Sequence, residues 1–329
     1  SEVVFTGGGT EADNLAIKGL YWSRSSADPA RRRILTSAVE HHAVLDTVQW
    51  LADAQGAEVE WLPVDHLGRV NPDEVRRRIA RDPGSVALVS LMWANNEVGT
   101  VQPVAEVAAI ARSYGIPVHT DAVQAIGQLP VDFAAVGVDA MTVTGHKVGG
   151  PTGIGALVVR READLTPLLH GGGQERDLRS GTLDTVAIAG FAAALAEAVD
   201  EQPEQSKRLG ALRDELIDRL LAVVPDARLG GDPEERLPGN AHVAFPGCEG
   251  DALLLLLDAQ HIACSTGSAC SAGVSQPSHV LLAMGYDDRS ARGSLRFSLG
   301  HSSTAEDIDA LVEAIGPAVE RARAAGFTS

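Results

Sequence analysis

Short apolar runs alternate along this chain with longer stretches in which apolar residues recur at helical spacing. "EVVF" is followed by "EADNLAIKGLYW", "RRILTS" by "AVLDTVQWLADA", and "VALVSL" by "VAEVAAIARSY"; "IPVHT" and "MTVT" continue the series. Strand patterns separated by helical ones of about 10–15 residues predict βαβ units, hence an α/β fold with a mostly parallel sheet flanked by helices. Beyond residue 185 the rhythm changes. Two helical patterns, 185–200 and 204–224, flank "DEQPEQS", where a break is expected at the proline. "NAHVAFP", "HIACST" and "SLRFSL" then read as three strands, and a last helix is expected from residue 304. The expectation is a large domain over 1–200 and a smaller C-terminal α/β domain over 201–329.

Ligands in such sheets bind beyond the carboxyl ends of the strands. "TGGGTE", "NNEVG", "HTDAVQ" and "TGHK" all fall at such ends. In "VTGHKVGGPTGIGALVV" a long primary amine, Lys147, directly follows a β-branched run and is trailed by glycines that admit close approach. "TGGGTEADN" is a glycine-rich turn opening a helix, whose N–H groups suit an anion with the Thr10 hydroxyl beside them; Thr10 as a helix cap is the plainer reading. "HTDAVQ" puts Asp121 past a strand and Gln124 three residues on, so that Asp121 either faces a cationic ring nitrogen or caps a helix. "EHHAV" supplies His41 and His42, either a flat partner for an aromatic ligand or a surface pair. "GGGQERDLRSGT" joins glycines, two arginines and Thr182, suited to a phosphate or to a partner subunit. Arg296 in "GSLRFSLG" lies opposite Leu295 and Phe297 and needs a partner, a bound carboxylate or a structural one.

Composition narrows the choice. The formal net charge is −17, which argues against nucleic acid or anionic lipid as the main partner. The three arginines 31–33 read as a solvated loop. The longest apolar run, "ALLLLL", is far short of a membrane span. Three cysteines without a CxxC pair suggest neither a disulfide framework nor a zinc cage, so no metal is expected and the cytoplasm is the natural setting. Cys264 continues a strand pattern and reads as a small hydrophobe, whereas Cys270 lies in Gly/Ser/Ala-rich chain without apolar periodicity, as a working thiol would.

Taken together, an amine, a carboxylate, an anion-binding turn, an imidazole and an arginine are the parts that pyridoxal phosphate needs. From "TGGGTEADNLAIKG" to "SLRFSLG" the chain resembles the cysteine desulfurases of the NifS/IscS type, fold-type I pyridoxal-phosphate enzymes of the class V aminotransferase family. The resemblance implies that Lys147 binds the cofactor aldehyde and Asp121 its ring nitrogen. It gives Gln124 the ring hydroxyl and His41 the ring face together with proton transfer. Gly9, Thr10, Thr144 and His146 would hold the phosphate, joined by Thr182 from the partner of a homodimer. Asn96 and Arg296 would take the substrate carboxylate. Cys270 would receive the sulfur of L-cysteine as a persulfide, for an iron–sulfur scaffold or another acceptor protein. It also implies a family segment ahead of the first strand that this chain lacks. Competing expectations are a selenocysteine lyase or aminotransferase on the same fold, and a truncated, non-catalytic scaffold partner; Cys270 separates transamination from the main reading, since transamination needs no such thiol.

Overall fold

The structure, a computed structural model, describes residues 2–267 and 277–326. Seven strands form the larger sheet: β1 (Val3–Thr6), β2 (Arg33–Ser37), β3 (Glu58–Leu62), β4 (Val86–Ser90), β5 (Val118–Asp121), β6 (Ala140–Thr144) and β7 (Gly155–Val159). Their order is β1-β7-β6-β5-β4-β2-β3. Pairing is parallel from β6 to β3, and β7 is antiparallel to both of its neighbours. The helices of this half are α1 (Gly9–Ala27), α2 (His42–Gln55), α3 (Pro72–Arg81), α4 (Val104–Ser113) and the single turn α5 (Phe133–Val136). The alternating pattern in the sequence therefore reports the α/β architecture. Leu15, Ile17 and Leu20 of α1, Val44, Val48 and Leu51 of α2, and Ile34, Leu88 and Leu157 of the sheet bury one another in a single core. Burial of that kind is the main stabilising term of the unit.

The chain divides into two compact units. One comprises 1–63, 70–95 and 102–202, and the other 64–69, 96–101 and 203–329. The second unit thus recruits two short segments from the first third of the sequence. The helix α6 (Thr185–Val223) runs through Pro203 without the break expected there. Proline removes one i→i−4 hydrogen bond, a loss that a helix of 39 residues absorbs with its remaining bonds. The division between the units falls at this proline.

The second unit holds β8 (Arg228–Gly230), β9 (Asn240–Ala244) and β10 (Ser294–Ser298), antiparallel in the order β10-β9-β8, with α7 (Gly250–Asp258), α8 (His279–Ala283), α9 (Asp288–Arg292) and α10 (Ala305–Gly326). "HIACST" is not the third strand. Only Ser265 pairs there, in an isolated bridge to Arg296, and the third strand is the three-residue β8, too short to show periodicity. Leu220, Val243, Phe245, Leu257, Leu295, Phe297 and Ile315 form the core of this unit. Arg33 also departs from the solvated loop read from the sequence: it begins β2, is half-buried and pairs with Glu60.

Candidate active site

The first unit gathers its polar motifs at the carboxyl ends of the strands, where the backbone leaves the sheet and its donors turn outward. β1 ends at Thr6, and the chain enters α1 through Gly8, the N-cap position, at φ 146°. That angle excludes most side chains, and a Cβ at Gly8 would meet nothing within 4 Å. The open space belongs to a cavity of about 530 Å³ lined by Gly7, Gly8, Gly9, Thr10, Glu11 and His146, among others. Thr10 lies inside the helix and is not its cap. Glu11, the one acid of this lining, is engaged: Arg179 Nε donates to it at 2.9 Å and Gly7 N–H at 2.7 Å. Anion-binding geometry is therefore built from backbone N–H groups at a helix start, with the nearby carboxylate neutralised.

Lys147 closes the short turn Gly145–Lys147 that follows β6. Thr144, the buried last residue of β6, donates its hydroxyl to the Ile154 carbonyl at 3.2 Å, and its Oγ1 stands 3.2 Å from His146 Nδ1. Burial and the Lys147 charge both lower the His146 pKa, which favours its neutral form.

Asp121 ends β5, beside β6 in parallel register with Thr142. It caps no helix. Its Oδ1 accepts the Val123 N–H at 2.9 Å and opens a turn that carries Gln124, half-buried, into the next segment. Burial pushes the Asp121 pKa up to about 8, the Asp13 carboxyl pushes it the same way, and the Val123 N–H, His119 and the Lys147 ammonium pull it back. Such a group is short of positive charge.

His41 is the N-cap of α2, and its Nδ1 accepts the Ala43 N–H at 3.1 Å. A neutral His41 therefore carries its proton on Nε2. His42 is exposed and stands 3.3 Å from Asp46. The two histidines are therefore not a surface pair: His41 is half-buried at the start of α2, and His42 is exposed.

Behind these groups lies a buried polar cluster that sequence reasoning did not single out. Asp13 of α1 is 3.5 Å from His119 Nε2, and His119 also meets Ser90 Oγ at 2.9 Å and Thr142 Oγ1 at 3.0 Å. Burial holds His119 neutral, with its pKa lowered to about 4, and raises Asp13 to about 7. Glu40 accepts the Ser37 hydroxyl at 2.7 Å and the Met92 N–H at 2.9 Å, and burial raises it to about 8. His119 precedes Asp121 by two positions on one strand and so shares its face; that spacing was the available signal.

In the second unit, Arg296 of β10 donates from Nη1 to the Asn96 carbonyl at 2.8 Å. Its backbone pairs with Ser265, a few residues ahead of Cys270. Thr182 is exposed in the first unit. Cys270 lies outside the described residues. Cys264 is half-buried with its thiol pushed up to about 11 by burial, and Cys248 is buried against the Val319 carbonyl. Among the described residues no group of His, Cys, Asp and Glu is arranged to hold a metal, and no helix is long and apolar enough to cross a membrane.

The sequence profile of the class-V aminotransferases matches residues 1–311. The chain belongs to that family, among the cysteine desulfurases of the NifS/IscS type. It is 58% identical to an IscS-like cysteine desulfurase of Mycobacterium tuberculosis, over 100% of this chain and 84% of that protein. It is 43% identical to the cysteine desulfurase NifS of Azotobacter vinelandii, over 98% of this chain and 78% of the relative. Among solved structures, a NifS-like protein superposes with a TM-score of 0.88 at 36% identity, covering 97% of this chain and 83% of that one. As a class-V aminotransferase of this type the protein is a pyridoxal-phosphate enzyme. The first unit fits that cofactor: it offers an open anion cradle past β1, a lysine past the end of β6, and a buried carboxyl whose raised pKa a ring cation would bring down.

Proposed function

We propose that the protein takes the sulfur of L-cysteine, leaving L-alanine and a persulfide on Cys270 that an acceptor protein, such as an iron–sulfur scaffold, collects. The observation that carries this reading is Asp121, a buried acid with its pKa raised to about 8 at the end of β5, in electrostatic reach of Lys147, which lies in the turn after the adjacent strand β6. The backbone around Gly9, with Thr10, Thr144 and His146, would hold the phosphate, and Thr182 would join it from the second subunit of a homodimer working in the cytoplasm. Asp121 would face the ring nitrogen, Gln124 the ring hydroxyl and His41 the ring face. When bound, pyridoxal phosphate supplies an electron sink for the pair released at the substrate Cα.

The rest is the work of the chain. Lys147 Nζ would anchor the cofactor and move the proton at Cα, while His41 Nε2, the protonated nitrogen of the neutral ring, would give its proton to the reacting atoms and later recover it. Arg296 and Asn96 orient the substrate by its carboxylate. Cys270, as thiolate, forms an S–S bond to the substrate sulfur as the substrate C–S bond breaks. The bonding pair stays with the carbon skeleton, which is protonated to alanine. Thiol and cysteine in give persulfide and alanine out, with no external oxidant. A thiol of ordinary pKa near 8.5 is mostly protonated at neutral pH, so a neighbouring base or cation must raise its thiolate fraction.

The loaded protein should absorb visible light, and Lys147→Ala should abolish that band together with turnover. Cys270→Ala should keep the band and lose sulfide release in the presence of a reductant. A protein that takes up no cofactor, or a Cys270→Ala variant with unchanged turnover, defeats the proposal.

A further inference from the structure

The small sheet of the second unit has two unlike faces. Ala241, Val243, Leu295 and Phe297 turn into its apolar core. The alternate positions, Asn240, His242 and Arg296, take the other face. That face is covered by residues 96–98, whose carbonyls are held one after another. Arg296 Nη1 donates to Asn96 O at 2.8 Å, Asn240 Nδ2 to Glu97 O at 3.1 Å, and Arg236 Nη2 to Val98 O at 3.2 Å.

His242 stands among these donors, fully buried, and neither of its ring nitrogens has a hydrogen-bond partner among the described residues. Buried polar atoms without a partner are rare and costly. The same is true of Nε of Arg296. The two residues are direct cross-strand partners in β9 and β10, a pairing that brings Cβ atoms to about 4.5–5.5 Å. An orphaned donor and an orphaned acceptor thus occupy opposed positions. Room for the imidazole comes from its partner on the other side, Gly230, where a Cβ would collide with Nδ1. Burial and then the charges of Arg236 and Arg296 lower the His242 pKa to about 3, so the ring is neutral. Among the described residues no carboxylate pairs with Arg296.

We propose that His242 is a positioning residue for Arg296: in the substrate-bound state its ring nitrogen accepts the Arg296 Nε–H and fixes the plane of the guanidinium, while leaving its charge whole for the carboxylate of an amino-acid substrate. A carboxylate at this position would hold the arginine more firmly and cancel the charge it is there to offer. The inference rests on the reading of Arg296 as the carboxylate-binding group.

The test is the KM for L-cysteine, set against kcat, in the cofactor-loaded enzyme. Arg296→Ala should raise KM about 100-fold. His242→Leu should raise it about tenfold with kcat within about twofold, because the acceptor is lost. His242→Asp should raise it at least as much, because the charge is cancelled. His242→Asn, a neutral acceptor, should stay within about threefold of wild type. If Arg296→Ala raises KM while both His242→Leu and His242→Asp leave it unchanged, or if His242→Asn is as damaging as His242→Leu, the positioning role falls and the reading of Arg296 stands. If Arg296→Ala leaves KM unchanged, that reading falls and takes the inference with it. A second measurement needs no variant: the ¹⁵N resonances of the His242 ring in the loaded enzyme should report a neutral imidazole whose acceptor nitrogen shifts upfield on adding L-alanine. Resonances that do not move on saturation overturn the proposal.

Discussion

Each unit of the molecule buries charge-bearing groups beside a neutral histidine, acids in the first and arginines in the second, and the two units handle the cost in opposite ways. In the first, Asp13 and Asp121 stand near His119 with Glu40 in electrostatic reach of both acids, and the three meet the expense of burial by keeping their protons, at about 7 to 8. In the second, Arg236 and Arg296 flank His242. Burial lowers Arg236 to about 10, which still leaves it charged at neutral pH. Guanidinium groups cannot shed charge there, so they are tied to the backbone carbonyls of residues 96 and 98 instead. An acid floor that holds protons accepts a cation by releasing them. An arginine floor is charged before any ligand arrives and must be propped by structure. A cationic ligand group suits the first floor, and an anionic one suits the second.

The largest expected effect comes from removing the sign of the first floor. Asp121→Asn keeps the shape and the turn but cannot balance a ring cation. Breaking a buried charge pair costs about 3 kcal/mol or more, so turnover should fall about 100-fold or more, with weaker cofactor retention. Steady-state kinetics and cofactor titration measure both. An Asp121→Asn enzyme within about threefold of wild type breaks the comparison at its first term.

A smaller effect concerns the cofactor-free protein and carries a definite sign. Carboxyls raised above their unfolded values favour the protonated folded state, a contribution fully present below the ordinary carboxylate range and lost as pH rises through about 7 to 8. His119, lowered to about 4, acts the other way, but its contribution is lost only as pH falls below about 6.5. From pH 6.5 to 8 the acids therefore dominate, and stability should drop as pH rises. Asp121→Asn should flatten that drop by about 1.5 kcal/mol, one group's share. Chemical denaturation at pH 6.5, 7.25 and 8 decides it. Parallel curves for the two proteins would show that Asp121 is ionised without its ligand.

Much of the large unit was legible because its signals are local. Apolar runs and helical spacing mark β1, β2, β4, β5 and β6, and polar motifs at strand ends drew attention to Lys147 and Asp121. What escaped depends on packing between distant segments. Asp13 in "EADN" reads as a polar helix position and is buried only by the strands behind it. By strand alternation His242 belongs on the face away from the core, which a sequence reader assigns to solvent. Residues 96–101, more than a hundred positions earlier, cover that face. β8 and the lone bridge at Ser265 carry too few residues for any periodicity, and so "HIACST" took the place of the third strand.

The smallest effect probes how the arginine floor is propped. Asn240 holds the Glu97 carbonyl through Nδ2 at 3.1 Å, and its side chain packs on Gly99, where an added Cβ would come within 2.8 Å of Oδ1. Asn240→Ala removes this donor from the Glu97 carbonyl and should cost about 1 kcal/mol, a drop in Tm of about 2–4 °C. The consequence for function should be the more telling. Asn96 and Val98, on either side of Glu97, keep their arginine partners, so KM for L-cysteine should change less than in His242→Leu. A KM rise as large as that of His242→Leu would mean that the whole segment, rather than one imidazole, sets the position of Arg296.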